Sequence, residues 1–306
     1  MPLTGEETMC VFDLHCDTLF KSVNENKPLN ADDYEFRFAD FKESKKWFQC
    51  MAVWTPDDFA YDGSLINYFI NSCERLISES ERLNVKVNDK TADKSFIITV
   101  ENSSILEDKI ENIKYLKKYG VKIATLTWNG SNLIGDGALT EKPKGATTFG
   151  KKVIDEYIKE GIAIDTSHTS DALFYDIASR KPKKILATHS NSRSVCNNRR
   201  NLTDEQFCYI RDNKGVVGLN FHKYFLKENG DASVKDILNH AYHFLSLGGE
   251  DTLAIGSDFD GAEMPTDLAT SGDLAKLYNS FIENKFPKSI VDKIFFHNAK
   301  NFYDNL

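Results

Sequence analysis

The 306-residue chain has no run of 18 apolar residues, and its opening MPLTGEETMCVFDLH shows no basic leader ahead of a long apolar segment. A transmembrane helix needs about 20 largely apolar residues in succession, so the expectation is a soluble, cytoplasmic protein without a membrane partner. Basic charge is scarce as well: 38 Lys and Arg stand against 46 Asp and Glu, a net charge of −8. Nucleic-acid binders concentrate basic residues on one face, whereas here only KPKK at 181–184 and the pair Arg199-Arg200 are locally basic, which argues against a nucleic-acid partner. Six cysteines (Cys10, Cys16, Cys50, Cys73, Cys196, Cys208) with no CxxC read as free thiols and not as a disulfide framework. Internal repeats and low-complexity segments are not evident, and the Lys- and Asn-rich composition reads as solvated surface.

What is present is an alternation of short apolar runs and helix-length segments. Residues 161–201 organise the chain, because two apolar runs there each stop at a polar cluster with a histidine, first His168 and then His189. Between them, 170–180 reads as a helix with Ser170 as N-cap, so the pattern is strand, helix, parallel strand. In a parallel barrel the C-terminal strand ends face the pocket where chemistry happens, so the two histidines should converge. Taken singly, a strand-end histidine is more often a hydrogen-bonded structural residue.

Upstream, 9–15 is a short strand ending in HCD, and the period of two places His15 and Asp17 on one face. Residues 21–46 read as a surface excursion, 47–54 as a second strand and 65–83 as an amphipathic helix. A third strand at 95–100 delivers Glu101, a carboxylate able to bridge two cations or merely to favour the start of the next helix. That helix is expected over 104–119, then a fourth strand at 121–127 and a loop, WNGSNLIGDGA, over the pocket. A helix at 151–160 leads into the two central strands, and another opens near Thr203. A seventh strand lies at 215–221, its helix at 233–247, an eighth strand at 252–255 ending in GSDFDG, and final helices at 272–284 and 288–303. His240 and His243, three apart on one helix face, read as surface residues more readily than as ligands. Eight strands alternating with helices make a single (β/α)8 barrel domain over residues 1–306.

The polar strand-end residues are then His15, Asp17, Glu101, His168, His189 and Asp258. Imidazole and carboxylate donors suit a divalent borderline cation such as Zn²⁺. These residues, with FDLHCDT, VEN at 100–102, TLTWNGSN, GIAIDTSH, ATHSNSRSV, RRNLTDEQ and IGSDFDG in that order, resemble the membrane (renal) dipeptidase family of binuclear zinc peptidases, among the amidohydrolase-like barrels. The resemblance covers nearly the whole chain. It implies two Zn²⁺ per chain, one held by His15 and Asp17, the other by His168 and His189, with Glu101 bridging. It further implies Asp258 as the catalytic proton shuttle, Arg200 as the partner of the substrate carboxylate, and hydrolysis of dipeptides by a metal-activated water.

Two positions depart from the family pattern. Animal cell-surface members place a substrate-binding histidine where this chain has Trp128-Asn129, so Asn129 or Asn132 is left as the candidate donor; and His222 replaces an expected aromatic, as a pocket or a rim residue. An N-acyl amino acid or other small amide remains an alternative substrate, and a decayed barrel that only binds is the non-enzymatic alternative. Related barrels with His-x-His on the first strand and a bridging lysine on the fourth do not fit. Self-association into a homodimer is left open.

Overall fold

In a computed structural model of the chain, residues 9–41, 44–59 and 61–306 are described; residues 1–8, which hold most of the stretch read above for a leader, lie outside them. The strands are β1 (Val11–Cys16), β2 (Trp47–Trp54), β3 (Lys86–Val87), β4 (Lys94–Glu101), β5 (Ile123–Thr125), β6 (Ala163–Asp165), β7 (Ile185–Leu186), β8 (Val217–Leu219) and β9 (Leu253–Ile255). They pair in parallel in the order β7-β6-β5-β4-β2-β1-β9-β8, and β3 is a two-residue appendage on the edge of β4. A parallel bridge from Ala187 to Val217 joins the two ends, so the eight principal strands form a nearly closed (β/α)8 barrel. Gly218 and Gly256 make this closure possible: a Cβ on either would lie within 2 Å of the Thr188 carbonyl oxygen.

Alternate residues of the short strands fill the lumen. Phe12, Leu14, Phe48, Cys50, Ile97, Ile123, Leu186 and Ala254 form an inner apolar layer, closed below by Phe296, Ala299, Phe302 and Tyr303 of the C-terminal segment. The other strand faces meet the surrounding helices in a larger outer core. Where one helix was expected at 288–303, the chain runs as Lys288–Asp292, a π-helical turn Lys293–His297, and Asn298–Asp304. The wider turn lets consecutive aromatics serve two cores: Phe295 packs on Tyr278 and Phe281, and Phe296 on Phe48.

The helix 65–83 is present as read, capped by Ser64, and Ser170 caps Asp171–Ser179 by accepting from Leu173 N–H. The expected helix 104–119 is instead two 3₁₀ turns followed by Ile113–Lys118, because Glu107 takes a φ of +55°, which no right-handed helix can include. The excursion after β1 is not surface: Leu29, Tyr34, Phe36 and Phe41 are buried, and Phe36 stacks on Trp47 with centroids 5.7 Å apart. His240 is also fully buried, not surface decoration, and its two ring nitrogens tie Ser192 N–H to the Leu226 carbonyl. All six cysteines are free, and among the described residues no helix is long and apolar enough to cross a membrane.

Candidate metal centre

Above the apolar layer the lumen turns polar at the C-terminal strand ends. Asp13 of β1 is fully buried, where it accepts from Ser257 N–H and Oγ–H and thereby fixes the end of β1 against the segment after β9. Burial pushes its carboxyl pKa up, and the bonds from Ser257 oppose that shift. On this platform β1 and the residue after it bring His15 and Asp17 together, Nε2 to Oδ2 at 3.4 Å.

Five buried side chains from four strand ends converge. Glu101, at the end of β4, faces both ways: Oε2 lies 3.3 Å from His15 Nε2, while Oε1 lies 2.8 Å from His168 Nε2 and 3.5 Å from His189 Nε2. The two histidines after β6 and β7 meet at 2.9 Å, Nε2 to Nε2. Their outer nitrogens identify which atom carries each proton. His168 Nδ1 sits 2.9 Å from Asn129 Oδ1, an acceptor only, so Nδ1 holds the hydrogen and Nε2 a lone pair. Thr188 gives its hydroxyl proton to Asp165, so the 2.8 Å bond between Thr188 Oγ1 and His189 Nδ1 is one that Thr188 accepts. His189 Nε2 is therefore also a bare lone pair.

Two bare imidazole nitrogens thus face each other at 2.9 Å, with Glu101 Oε1 within 3.5 Å of both. Such a set is mutually repulsive until a cation enters it. In the second half, His15 Nε2 makes no well-aligned hydrogen bond although carboxylate oxygens of Glu101 and Asp17 stand 3.3 and 3.4 Å away, and Asp17 Oδ1 is buried without a partner. The combinations His15–Glu101–His189 and His15–Asp17–Asp258 both have the spacing to hold a metal ion. Burial holds His168 and His189 well below the usual imidazole range, which keeps them neutral and able to ligate. For His15 the burial penalty is overcome by the charges of Glu101 and Asp17, and its pKa is raised; Glu101 is pushed up to about 8 by burial.

Asp258 follows β9 on a backbone with φ +66°, and His168 has φ +67°. Left-handed backbone at two non-glycine residues is held by the fold at the place where side chains must be aimed. Asn220, after β8, donates to Asp258 Oδ2 at 2.9 Å, and Oδ1 stands 3.8 Å from His15 Nε2. Gly261 lies where a Cβ would come within 1.9 Å of Asp17 Oδ2, so only glycine lets this loop cross so near the carboxylates.

A cavity of about 140 Å³ opens over these groups, walled by Trp54, Trp128, Asn129, His222, Phe225 and Asp258. His222 is on the wall and takes a bond from Glu263 N–H at Nδ1. Asn132 is not: its side chain is spent on Asn102, Leu126, Ile134 and Gly135 within the loop. Arg200 is buried next to the wall rather than on it, with Nη2 donating to the His189 carbonyl, Nη1 to Ser190 Oγ, and the guanidinium 5.3 Å from the Phe225 ring. Burial lowers its pKa to about 10, and its Nε is left without an acceptor. Asp165 and Asn220, which aim His189 and Asp258, were not singled out in the sequence. A charged residue inside the apolar run GIAID, and an amide in GVVGLNF, were the available signals.

A parallel eight-stranded barrel with histidines and carboxylates gathered at its C-terminal strand ends is the architecture of a metal-dependent hydrolase. A sequence model of the membrane dipeptidase family (peptidase family M19) matches residues 6–302. The chain belongs to that family, and is a hydrolase of the dipeptidase class. It is 30% identical over 214 residues to an uncharacterized Klebsiella pneumoniae protein encoded in the pqqA 5′ region, a match covering 67% of this chain and 79% of the relative. It is 28% identical over 172 residues to dipeptidase 3 of Mus musculus, covering 54% of this chain and only 35% of that protein's length. Its fold matches a Rhodobacter sphaeroides metallo peptidase, solved with a phosphinate mimic of the dipeptide L-Ala-D-Ala, with a TM-score of 0.88 at 22% identity over 97% of this chain and 99% of that one.

Proposed function

We propose that the chain is a zinc-dependent dipeptidase, working as one catalytic domain over residues 1–306, in which His15 and Asp17 hold one ion, His168 and His189 a second, and Glu101 joins the two. The observation that carries this reading is the facing of two Nε2 lone pairs across Glu101 Oε1, while Glu101 Oε2 turns to His15. Nitrogen and carboxylate oxygen donors without cysteine suit zinc. When bound, such a pair supplies a Lewis acid for a carbonyl and a water acidified toward neutrality.

The remaining work falls to this chain's own side chains. Asp258, held by Asn220 at one oxygen, keeps the other free over the cavity to take a proton and pass it to the departing amine. Asn129 spends its oxygen on His168 and has its amide N–H to offer the substrate, with His222 across the wall. Arg200 Nε is a buried donor awaiting an acceptor, which the terminal carboxylate of a short peptide supplies. A cavity of about 140 Å³ favours a dipeptide over longer chains, and the ligand of the Rhodobacter sphaeroides relative mimics a dipeptide. A cytoplasmic site of action belongs to this reading and is supported by six free cysteines.

The test is turnover on a panel of dipeptides, dipeptide amides and N-acyl amino acids with the zinc-loaded protein. Dipeptides with a free carboxylate should be hydrolysed far faster than the other two classes. A preference for N-acyl amino acids would replace the substrate assignment while keeping the metal centre.

A further inference from the structure

The basic KPKK segment has no part in the chemistry above, yet the structure does not leave it scattered on the surface. Lys183 and Lys184, just ahead of β7, and Arg211 and Lys214, just ahead of β8, line one cleft of about 720 Å³ together with Asp251 and Asn301. These residues precede the same strands that His189 and Asn220 follow, so the cleft lies at the opposite end of the barrel from the metal centre.

Four cations gather here in a chain whose net charge is −8. Among the described residues the side-chain ammonium groups of Lys183, Lys184 and Lys214 have no ion-pair or hydrogen-bond partner. Among the described residues the one carboxylate of the wall, Asp251, is already answered by Lys293 at 2.6 Å. Arg211 is held in place by Asp212 and the Leu247 carbonyl. Lys214 takes a φ of +59° in the left-handed turn that closes the helix Asp204–Asp212, and its side chain is exposed at the cleft. Like charges converging on a concave surface repel one another and focus a positive potential that attracts anions.

We propose that this cleft is a second binding site, for a compact multivalent anion of the di- or triphosphate class. The concave shape favours a small ligand over an extended nucleic acid, and the only aromatic on its wall among the described residues, Phe302, is buried and offers no platform for a stacked base. Recognition therefore rests on the phosphates, whether they arrive as inorganic polyphosphate or on a nucleotide.

The experiment is calorimetric titration of the full-length, metal-loaded protein with inorganic tripolyphosphate, with ATP, and with sulfate at matched ionic strength. The same titrations are made on a Lys183→Gln/Lys214→Asn double variant, whose changes are exposed and whose asparagine suits the left-handed backbone. The expected result is saturable binding of tripolyphosphate at one per chain, weakened roughly tenfold or more in the variant, with dipeptide turnover unchanged. ATP binding no tighter than tripolyphosphate supports recognition of phosphates alone; tighter ATP binding would show contacts to the base or ribose and overturn recognition by phosphates alone. Absence of binding, binding no tighter than sulfate, or equal affinity in the variant, which would place the anion on the metal centre, overturns the proposal.

Discussion

Asp258 is the residue at which proton handling and metal binding can be pulled apart. Its Oδ1 is 3.8 Å from His15 Nε2, and with His15 and Asp17 it has the spacing of a metal site. Its Oδ2, however, is occupied by the amide of Asn220 at 2.9 Å, and the ions proposed here are provided for without it. The Asp258→Asn change keeps the shape, keeps an oxygen for Asn220, and is tolerated at φ +66°, since asparagine adopts the left-handed region readily. What it removes is the ability to accept a proton. The expected loss in kcat is on the order of 10² to 10⁴, or about 3–5 kcal/mol in activation free energy, the usual contribution of a positioned acid or base. KM should change little and metal content not at all. Steady-state kinetics on a dipeptide, run beside elemental analysis of the same preparation, reads all three quantities. Loss of an ion would make Asp258 a ligand; retained turnover would refute its role in proton transfer and turn attention to His222, across the cavity.

Arg200→Met should weaken kcat/KM for dipeptides by about 10- to 150-fold, the worth of a charge-assisted hydrogen bond of about 1.5–3 kcal/mol, and leave dipeptide amides nearly unchanged; equal losses on both would show that Arg200 acts through the fold instead. His240 gives a pH signature of stability. Burial holds its pKa down to about 4, below the 6.5 of an unperturbed imidazole, so the folded state prefers the neutral ring that accepts from Ser192 N–H and donates to the Leu226 carbonyl. Its contribution is fully present above pH 6.5 and is lost as pH falls from 6.5 to 4, at most about 3 kcal/mol. Urea unfolding of wild type and His240→Gln at pH 7.5 and 4.5 checks this: the gap between the two proteins should narrow at the lower pH, and a constant gap would contradict it.

The barrel was legible because each principal strand is a short apolar run and the longer helices are periodic segments between them, one of them opened by Ser170, the N-cap expected from the sequence. Strand polarity put His15, Asp17, Glu101, His168, His189 and Asp258 at one end of the barrel, while the division of these into ligands and proton shuttle came from the family resemblance. The rest depends on contacts between distant parts of the chain. Nothing local in ILEDKIEN announces the left-handed Glu107 that breaks the helix, and composition made 21–46 look solvated although Phe36 stacks beneath Trp47. His240 shares a helix face with His243, but only the packing of the 190–202 loop decides that one is buried and the other paired with Asp204 at the rim. The orienting pairs Thr188–Asp165 and Asn220–Asp258 join different strands, and no spacing rule within one segment reveals them.

The central claim is a pair of ions sharing Glu101, and it is tested most directly by metal stoichiometry. Protein stripped of metal, reconstituted with zinc and freed of excess should hold two equivalents per chain by elemental analysis. Glu101→Gln should lose more metal than any other single ligand change, because Oε1 faces His168 and His189 while Oε2 faces His15. A reproducible stoichiometry of zero or one in the wild-type protein, or two equivalents retained in Glu101→Gln, would contradict it.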